Sequence, residues 1–274
     1  MFAGKVVVIT GGSSGLGKAL AARCAARGAS LALVARDMKK LEAARDEIAP
    51  LCLPGRKVEI FATDVSDCTS VEKTFEEISD RIAAPDILIN SAGILREGYF
   101  ETLPMNSFHD VMEINFFGTV NCIRAAIPYF KKKGGGRIVN ISSLGGRFGS
   151  FGYTAYCSSK FAVVGLTETL RCELKPQNIS VHLVCPPEFE SPMVDELNTY
   201  RTEENRVMTQ TVPVLSLDRV ADETLSGIIR GRYLVIPGRV TWLLDLINRF
   251  FPAASRTFVD WRIRKIYRGP GAGL

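Results

Sequence analysis

The 274-residue chain contains only two histidines, His109 and His182, and none of its seven cysteines belongs to a Cys-x-x-Cys pair. Zinc centres draw on clustered His and Cys, so no metal site is expected. An odd, scattered set of thiols (Cys24, Cys52, Cys68, Cys122, Cys157, Cys172, Cys185) reads as reduced protein in a cytoplasmic setting. No apolar run reaches the roughly 18 residues of a membrane span. A secretory leader is not expected either, because the strand-like run Lys5–Ile9 begins almost at the first residue and leads into a Gly-rich turn. There is no internal repeat, low-complexity stretch or linker; Gly134–Gly136 is a short loop before a strand. With 46% hydrophobic and 23% charged residues, disorder, collagen and coiled coil are excluded.

What is present is alternation. Short apolar runs at Lys5–Thr10, Ser30–Ala35, Lys57–Thr63, Asp86–Asn90, Arg137–Ser142 and Ser180–Cys185 read as strands buried on both faces. Helix-length segments lie between them: Lys18–Arg27, Met38–Ile48, Ser70–Ile82, Met105–Tyr129 and Ala155–Leu174. This order predicts βαβ units and a Rossmann-type, doubly wound parallel α/β sheet in a single domain.

The first strand runs into Thr10-Gly11-Gly12-Ser13-Ser14-Gly15-Leu16-Gly17, which opens the first helix. Glycines there permit a tight turn and close approach to a pyrophosphate, and the helix N-terminus offers unpaired N–H groups. A dinucleotide site is therefore expected around Gly11, Ser13, Ser14, Gly15, Leu16 and Gly17. The second strand ends Val34-Ala35-Arg36-Asp37, with Ala35 where an NAD-binding acid would stand. Arg36 suits a 2′-phosphate, so NADP(H) is the expected cofactor. Asp37 fits either a ribose hydroxyl or a helix cap. Asp64, before Val65 at the end of the third strand, fits either the adenine amino group or a turn.

Tyr156 and Lys160 stand four apart in a predicted helix, hence on one face. A tyrosine titrates near 10, and a neighbouring ammonium favours its phenolate, moving it toward useful acid–base chemistry. Ser143, thirteen residues earlier at a strand end, could donate to a carbonyl oxygen. These pieces, with Asn90-Ser91-Ala92-Gly93, Asn115 and the Pro186-Pro187 turn, resemble the short-chain dehydrogenase/reductase family over about residues 1–235. The resemblance implies that Tyr156 is the acid in ketone reduction and that Lys160 tunes it and holds the nicotinamide ribose. It also implies that Ser143 polarises the carbonyl and that Asn115 holds a relay water. It places cofactor contacts at Asn90, Ala92, Gly93, Pro186, Phe189 and Ser191, and a homodimer or homotetramer through the two long helices. The chain departs from the family pattern at Ser91, usually Asn, and at Pro187, usually Gly. It also has Phe189 and Ser191 in place of an aliphatic residue and Thr. A second proline removes a backbone donor and stiffens the loop.

The Pro186-Pro187-Glu-x-x-Ser-Pro turn, with Val34-Ala35-Arg36 and Phe151–Tyr156, is similar to the 3-ketosphinganine (3-ketodihydrosphingosine) reductase branch, which reduces a long-chain keto-lipid with NADPH. A 3-oxoacyl or hydroxysteroid substrate is the alternative within the class. A non-catalytic dinucleotide-binding regulator is the alternative outside it, and a membrane-binding module centred on the tail is a third.

Residues 1–238 are read as the catalytic unit, with a substrate loop at about 187–214. Met193, Leu197, Val207, Met208 and Val212 there either line an apolar pocket or pack a flap. Residues 239–274 form a basic amphipathic helical extension of the domain; from residue 231 onward the chain has eight Lys and Arg against two Asp, and both tryptophans. In Thr241–Phe251 the polar Thr241, Asp245, Asn248 and Arg249 share one face. A second segment, Ser255–Arg268, mixes aromatics with basic residues. Such helices lie on anionic membranes or dock on protein, and residues 239–268 are open to both. Nucleic acid is not an expected partner, since no recognition motif accompanies the charge.

Overall fold

The computed structural model describes residues 1–267. Strands β1 (Val6–Thr10), β2 (Ser30–Ala35), β3 (Val58–Ala62), β4 (Ile87–Asn90), β5 (Gly136–Ile141), β6 (Ile179–Val184) and β7 (Leu234–Val235) form one sheet. All pairings are parallel, and the order is β3-β2-β1-β4-β5-β6-β7. The sequence predicted six of these strands within a residue or so at each end; the two-residue β7 was too short to read.

Alternate strand residues feed two cores, as the period of two requires. Val7, Ile9, Leu31 and Leu33 pack against α1 (Gly15–Ala25), α2 (Met38–Ile48) and α9 (Leu217–Ile229). Val6, Val8, Ala32 and Val34 pack on the opposite side with α3 (Cys68–Arg81) and α5 (Gly118–Lys132). The chain winds outward from β1 to β3, then returns across to β4. The crevice at the carboxyl ends of β1 and β4 is the switch point where such sheets bind ligands.

The predicted helix Met105–Tyr129 is interrupted. It runs as α4 (Met105–Met112), a π-helical turn at Glu113–Phe117, then α5. Periodicity cannot register one inserted residue, and Asn115 sits inside the turn. The long helix α6 is Thr154–Glu173. The expected substrate loop contains two short helices, α7 (Pro192–Leu197) and α8 (Glu203–Thr209). The tail forms α10 (Arg239–Phe250) and α11 (Pro252–Tyr267), divided at Pro252. Arg268, the last residue of the second expected tail segment, lies outside the described residues, as do 269–274.

Candidate active site

The Gly-rich turn is built by steric demand. Gly11 has φ of +65°, and a Cβ there would lie 2.8 Å from the Ser91 carbonyl oxygen. A Cβ on Gly17 would lie 2.2 Å from the Gly11 carbonyl oxygen, so α1 seats directly on the turn. Gly15, at φ of +50°, faces open space. Ser14 is the N-cap residue of α1, yet its side chain makes no capping hydrogen bond. The first N–H groups of the helix thus face the crevice beside a bare backbone, the arrangement that suits a pyrophosphate. Thr10 Oγ1 accepts from the Ser91 and Ala92 amides at 3.1 Å, which fixes the β4 loop against the turn.

Arg36 is exposed just beyond β2, with its guanidinium 3.9 Å from Asp64. Asp37 resolves to a cap: it accepts from the Lys40 amide at 3.1 Å. Asp64 accepts from the Ser66 amide and hydroxyl at 2.9 and 2.6 Å, and its other oxygen faces Arg36. Val65 is buried against Gly118, where a Cβ would meet Val65 Cγ2 at 2.5 Å.

Asn115 is buried in the π turn. Its Oδ1 accepts from the Ile94 amide at 2.8 Å, and its Nδ2 donates to the Ile94 carbonyl and to Ser159 Oγ, both at 3.0 Å. Ser159 Oγ in turn donates to the Tyr156 carbonyl at 2.7 Å. The turn therefore ties the β4 loop to the stretch of α6 that carries Tyr156. Lys160 is buried, and its Nζ donates to the Ile141 carbonyl at 3.2 Å and lies 5.6 Å from the centre of the Tyr156 ring. Ser143 Oγ accepts from the Gly145 amide at 3.0 Å, and a Cβ on Gly145 would lie 3.5 Å from Ser143 Oγ and 3.6 Å from the Tyr156 ring.

The electrostatics reverse one expectation. Burial raises the Tyr156 phenol above its ordinary value, with the Ser143 hydroxyl pulling the other way. Burial also brings Lys160 down to about 8. Loss of water is the largest influence on the phenol, and it favours the protonated form that can donate.

A cleft of about 980 Å³ joins these parts. It starts at Ser14–Gly17, passes Ser143, Tyr156 and Lys160, and ends among apolar side chains of α7, α8, α10 and α11. Pro186, Phe189 and Ser191 line it. The Pro186 carbonyl accepts from the Leu144 amide at 2.8 Å, Phe189 bridges to Leu215, and Ser191 caps α7. Of the two alternatives open for the loop residues, Met193, Met208 and Val212 line the apolar end, whereas Val207 is outside the lining. Leu197 instead packs fully buried with Leu95, Tyr153 and Cys157, behind the wall.

The tail is anchored as the far wall through the polar face of α10. Asp245 is buried and takes Arg147 in a bidentate pair, at 2.6 Å from Nε and 3.2 Å from Nη2. Asn248 Nδ2 donates to the Arg147 carbonyl at 3.2 Å, and Thr241 is buried beside them. Arg147 directly follows the short helical turn capped by Ser143.

Residues 5–202 match the short chain dehydrogenase family. The chain belongs to that family. It is 38% identical over 232 residues to the 3-ketodihydrosphingosine reductase of Mus musculus, covering 84% of this chain and 70% of that one. It is 34% identical over 280 residues to the 3-ketodihydrosphingosine reductase of Dictyostelium discoideum, covering 97% and 84%. A short chain dehydrogenase/reductase from Burkholderia phymatum, solved in complex with NAD, superposes with a TM-score of 0.81 at 25% identity, covering 92% of this chain and 95% of that one.

Within this short-chain dehydrogenase, Ser143, Tyr156, Lys160 and Ser14–Gly17 line one cleft. Asn115 stands behind it as a brace. Gly11, Asn90 and Ala92 shape the backbone around the turn, with Asn90 Nδ2 donating to Asn140 Oδ1 at 2.8 Å. Arg36, Asp64 and Val65 lie at the ends of β2 and β3, outside the lining of the cleft. Sequence reasoning missed the clamps. Arg201 pairs with Glu188 and reaches the Tyr153 hydroxyl at 3.3 Å, and Glu97 accepts from Thr202 Oγ1 at 2.5 Å. These contacts join residues about 13 to 105 apart in sequence and leave no local pattern. Asp245 did leave one, since Thr241, Asp245 and Asn248 follow a helical stripe, but a polar stripe reads as a solvent face.

Proposed function

We propose that this short-chain dehydrogenase reduces the ketone of a long-chain, apolar substrate with NADPH, with 3-ketosphinganine, reduced to sphinganine, as the lead. The observation that carries the reading is the single cleft, polar at Ser14–Gly17 and at Tyr156, and lined farther on by the apolar Met193, Met208, Val212, Leu244, Ile247 and Phe258. Its volume is at the upper end of the ~300–1,000 Å³ of small-molecule sites, enough for a cofactor end and an extended chain. The bare turn, the unsatisfied first turn of α1 and the steric demand at Gly11 and Gly17 fit a nicotinamide dinucleotide, which supplies the hydride when bound. Ser14–Gly17, Gly93, Pro186, Phe189 and Ser191 are the residues that would hold it, and Arg36 favours the 2′-phosphate of NADP(H) over NAD.

Tyr156 then gives its proton to the carbonyl oxygen as the C–O bond takes up charge, and the Ser143 hydroxyl donates a hydrogen bond to the same oxygen. The Lys160 ammonium nearby favours the phenolate left behind, and solvent reaching the half-buried Tyr156 returns its proton. Asn115, through Ser159, keeps α6 in place for this exchange. In this reading residues 1–238 are the catalytic unit and 239–274 complete the substrate wall. Exposed Phe117, Phe161 and Met105 on α4–α6 supply the surface for a homodimer or homotetramer. Its seven free cysteines fit a reducing cytoplasmic setting, at a membrane surface or away from one.

The experiment follows NADPH oxidation at 340 nm with 3-ketosphinganine, a short β-keto ester and a steroid ketone. Preferred turnover of the sphingoid ketone is expected. Tyr156→Phe should lower kcat at least ~10³-fold while NADPH still binds by fluorescence titration. Substantial residual turnover would remove Tyr156 from the role of acid, and turnover of only the other ketones would discard the substrate.

A further inference from the structure

Helix α10 is docked inside out. Its polar residues Thr241 and Asp245 are buried, while Trp242, Leu243, Phe250 and the adjacent Phe251 are each at least half exposed. Leu243, Ile247 and Phe250 follow i, i+4, i+7 and so form one outward apolar stripe. The stripe continues onto α11. Ile247 and Phe258 both line the apolar end of the cleft while staying exposed, and the Phe258 ring lies 6.0 Å from that of Trp261. A contiguous apolar surface of this kind marks an interaction site.

Its rim is basic. Arg239, Arg249, Arg256, Arg264 and Lys265 are exposed on the two helices, against Asp260 alone, since Asp245 is occupied by Arg147. Lys265 Nζ sits 5.7 Å from the Trp261 ring centre and the Arg249 guanidinium 5.9 Å from that of Phe250. Cations beside large aromatics place charge at the level of lipid headgroups with rings just beneath. No helix among the described residues is long and apolar enough to cross a membrane, so lipid contact here is in-plane. A second copy of the chain is a poorer occupant, because a two-fold contact would set the basic rim against itself.

We propose that α10 and α11 form an in-plane docking surface for an anionic phospholipid bilayer, and that the apolar end of the cleft opens at this surface to take its ketone from the lipid phase. The second half rests on the substrate reading above; the docking surface does not.

The chain carries its own probe, since Trp242 and Trp261 are its two tryptophans and both stand on this surface. The full chain is mixed with vesicles of phosphatidylglycerol and phosphatidylcholine, or of phosphatidylcholine alone, and tryptophan emission and co-sedimentation are followed. A blue shift and sedimentation with the anionic vesicles, weakened by salt, are expected. The triple variant Leu243→Gln, Phe250→Gln, Phe251→Gln keeps both tryptophans and should lower the partition coefficient at least ~10-fold with an unchanged thermal midpoint. No shift with anionic vesicles overturns the proposal. So does a shift that follows protein concentration without vesicles and brings a larger sedimentation coefficient, because the face then joins copies of the chain. Vesicle binding without turnover of any long-chain ketone overturns the lipid-fed cleft and the substrate reading, and leaves the docking surface standing.

Discussion

The Arg147–Asp245 pair decides whether the tail is part of the catalytic unit. Asp245→Leu leaves a guanidinium that is about one-fifth exposed without its carboxylate. Breaking a buried pair by removing one partner costs about 3–5 kcal/mol, and the partial exposure of Arg147 puts this case near the lower figure. At ~2–4 °C per kcal/mol for a chain of this size, the thermal midpoint should fall by about 6–12 °C. Arg147→Met combined with Asp245→Leu replaces the pair with apolar groups and should recover at least half of that loss. Because α10 supplies Leu244 and Ile247 to the cleft, Asp245→Leu should also raise KM for a long-chain ketone by more than for a short one. Thermal unfolding by circular dichroism, with urea titration of all four members of the cycle, measures the coupling. A single-variant cost below ~0.5 kcal/mol, or a double variant that merely sums the singles, would refute the clamp.

Three further outcomes are expected. Lys160 is held at about 8 against an ordinary 10.5, so the unfolded chain binds more protons across that window and stability rises with pH from about 8 to 10.5. Lys160→Met lacks this contribution, so over the same window the stability difference should shift toward the wild type by ~3 kcal/mol, at about 1.36 kcal/mol per pKa unit; a gap independent of pH contradicts the burial argument. Gly17→Ala forces a methyl against the Gly11 carbonyl and should cost ~1–3 kcal/mol together with dinucleotide affinity, read by urea unfolding and NADPH titration. Arg36→Ala should raise KM for NADPH roughly tenfold, the worth of one charge-assisted hydrogen bond, and leave KM for NADH unchanged; equal effects on both cofactors would remove Arg36 from 2′-phosphate recognition.

Local chemistry determined much of this protein from the sequence alone. Strands buried on both faces have to be short, apolar and β-branched, so β1, β2 and β6 were legible. A turn that brings backbone within 3 Å of backbone accepts only glycine, so Thr10–Gly17 was legible too. Tyr156 and Lys160 share a face by helix geometry whatever surrounds them. Tertiary structure decided the rest, because those outcomes depend on what lies across space. The inserted residue around Asn115 is held by Ile94 and Ser159 from other elements. The direction of the Tyr156 shift depends on how much water the folded walls exclude. The sequence drew α10 as an amphipathic helix, and amphipathicity names two faces without saying which one turns inward. Arg147, 98 residues earlier, provides the buried partner that draws Asp245 into the protein and leaves the apolar stripe outside.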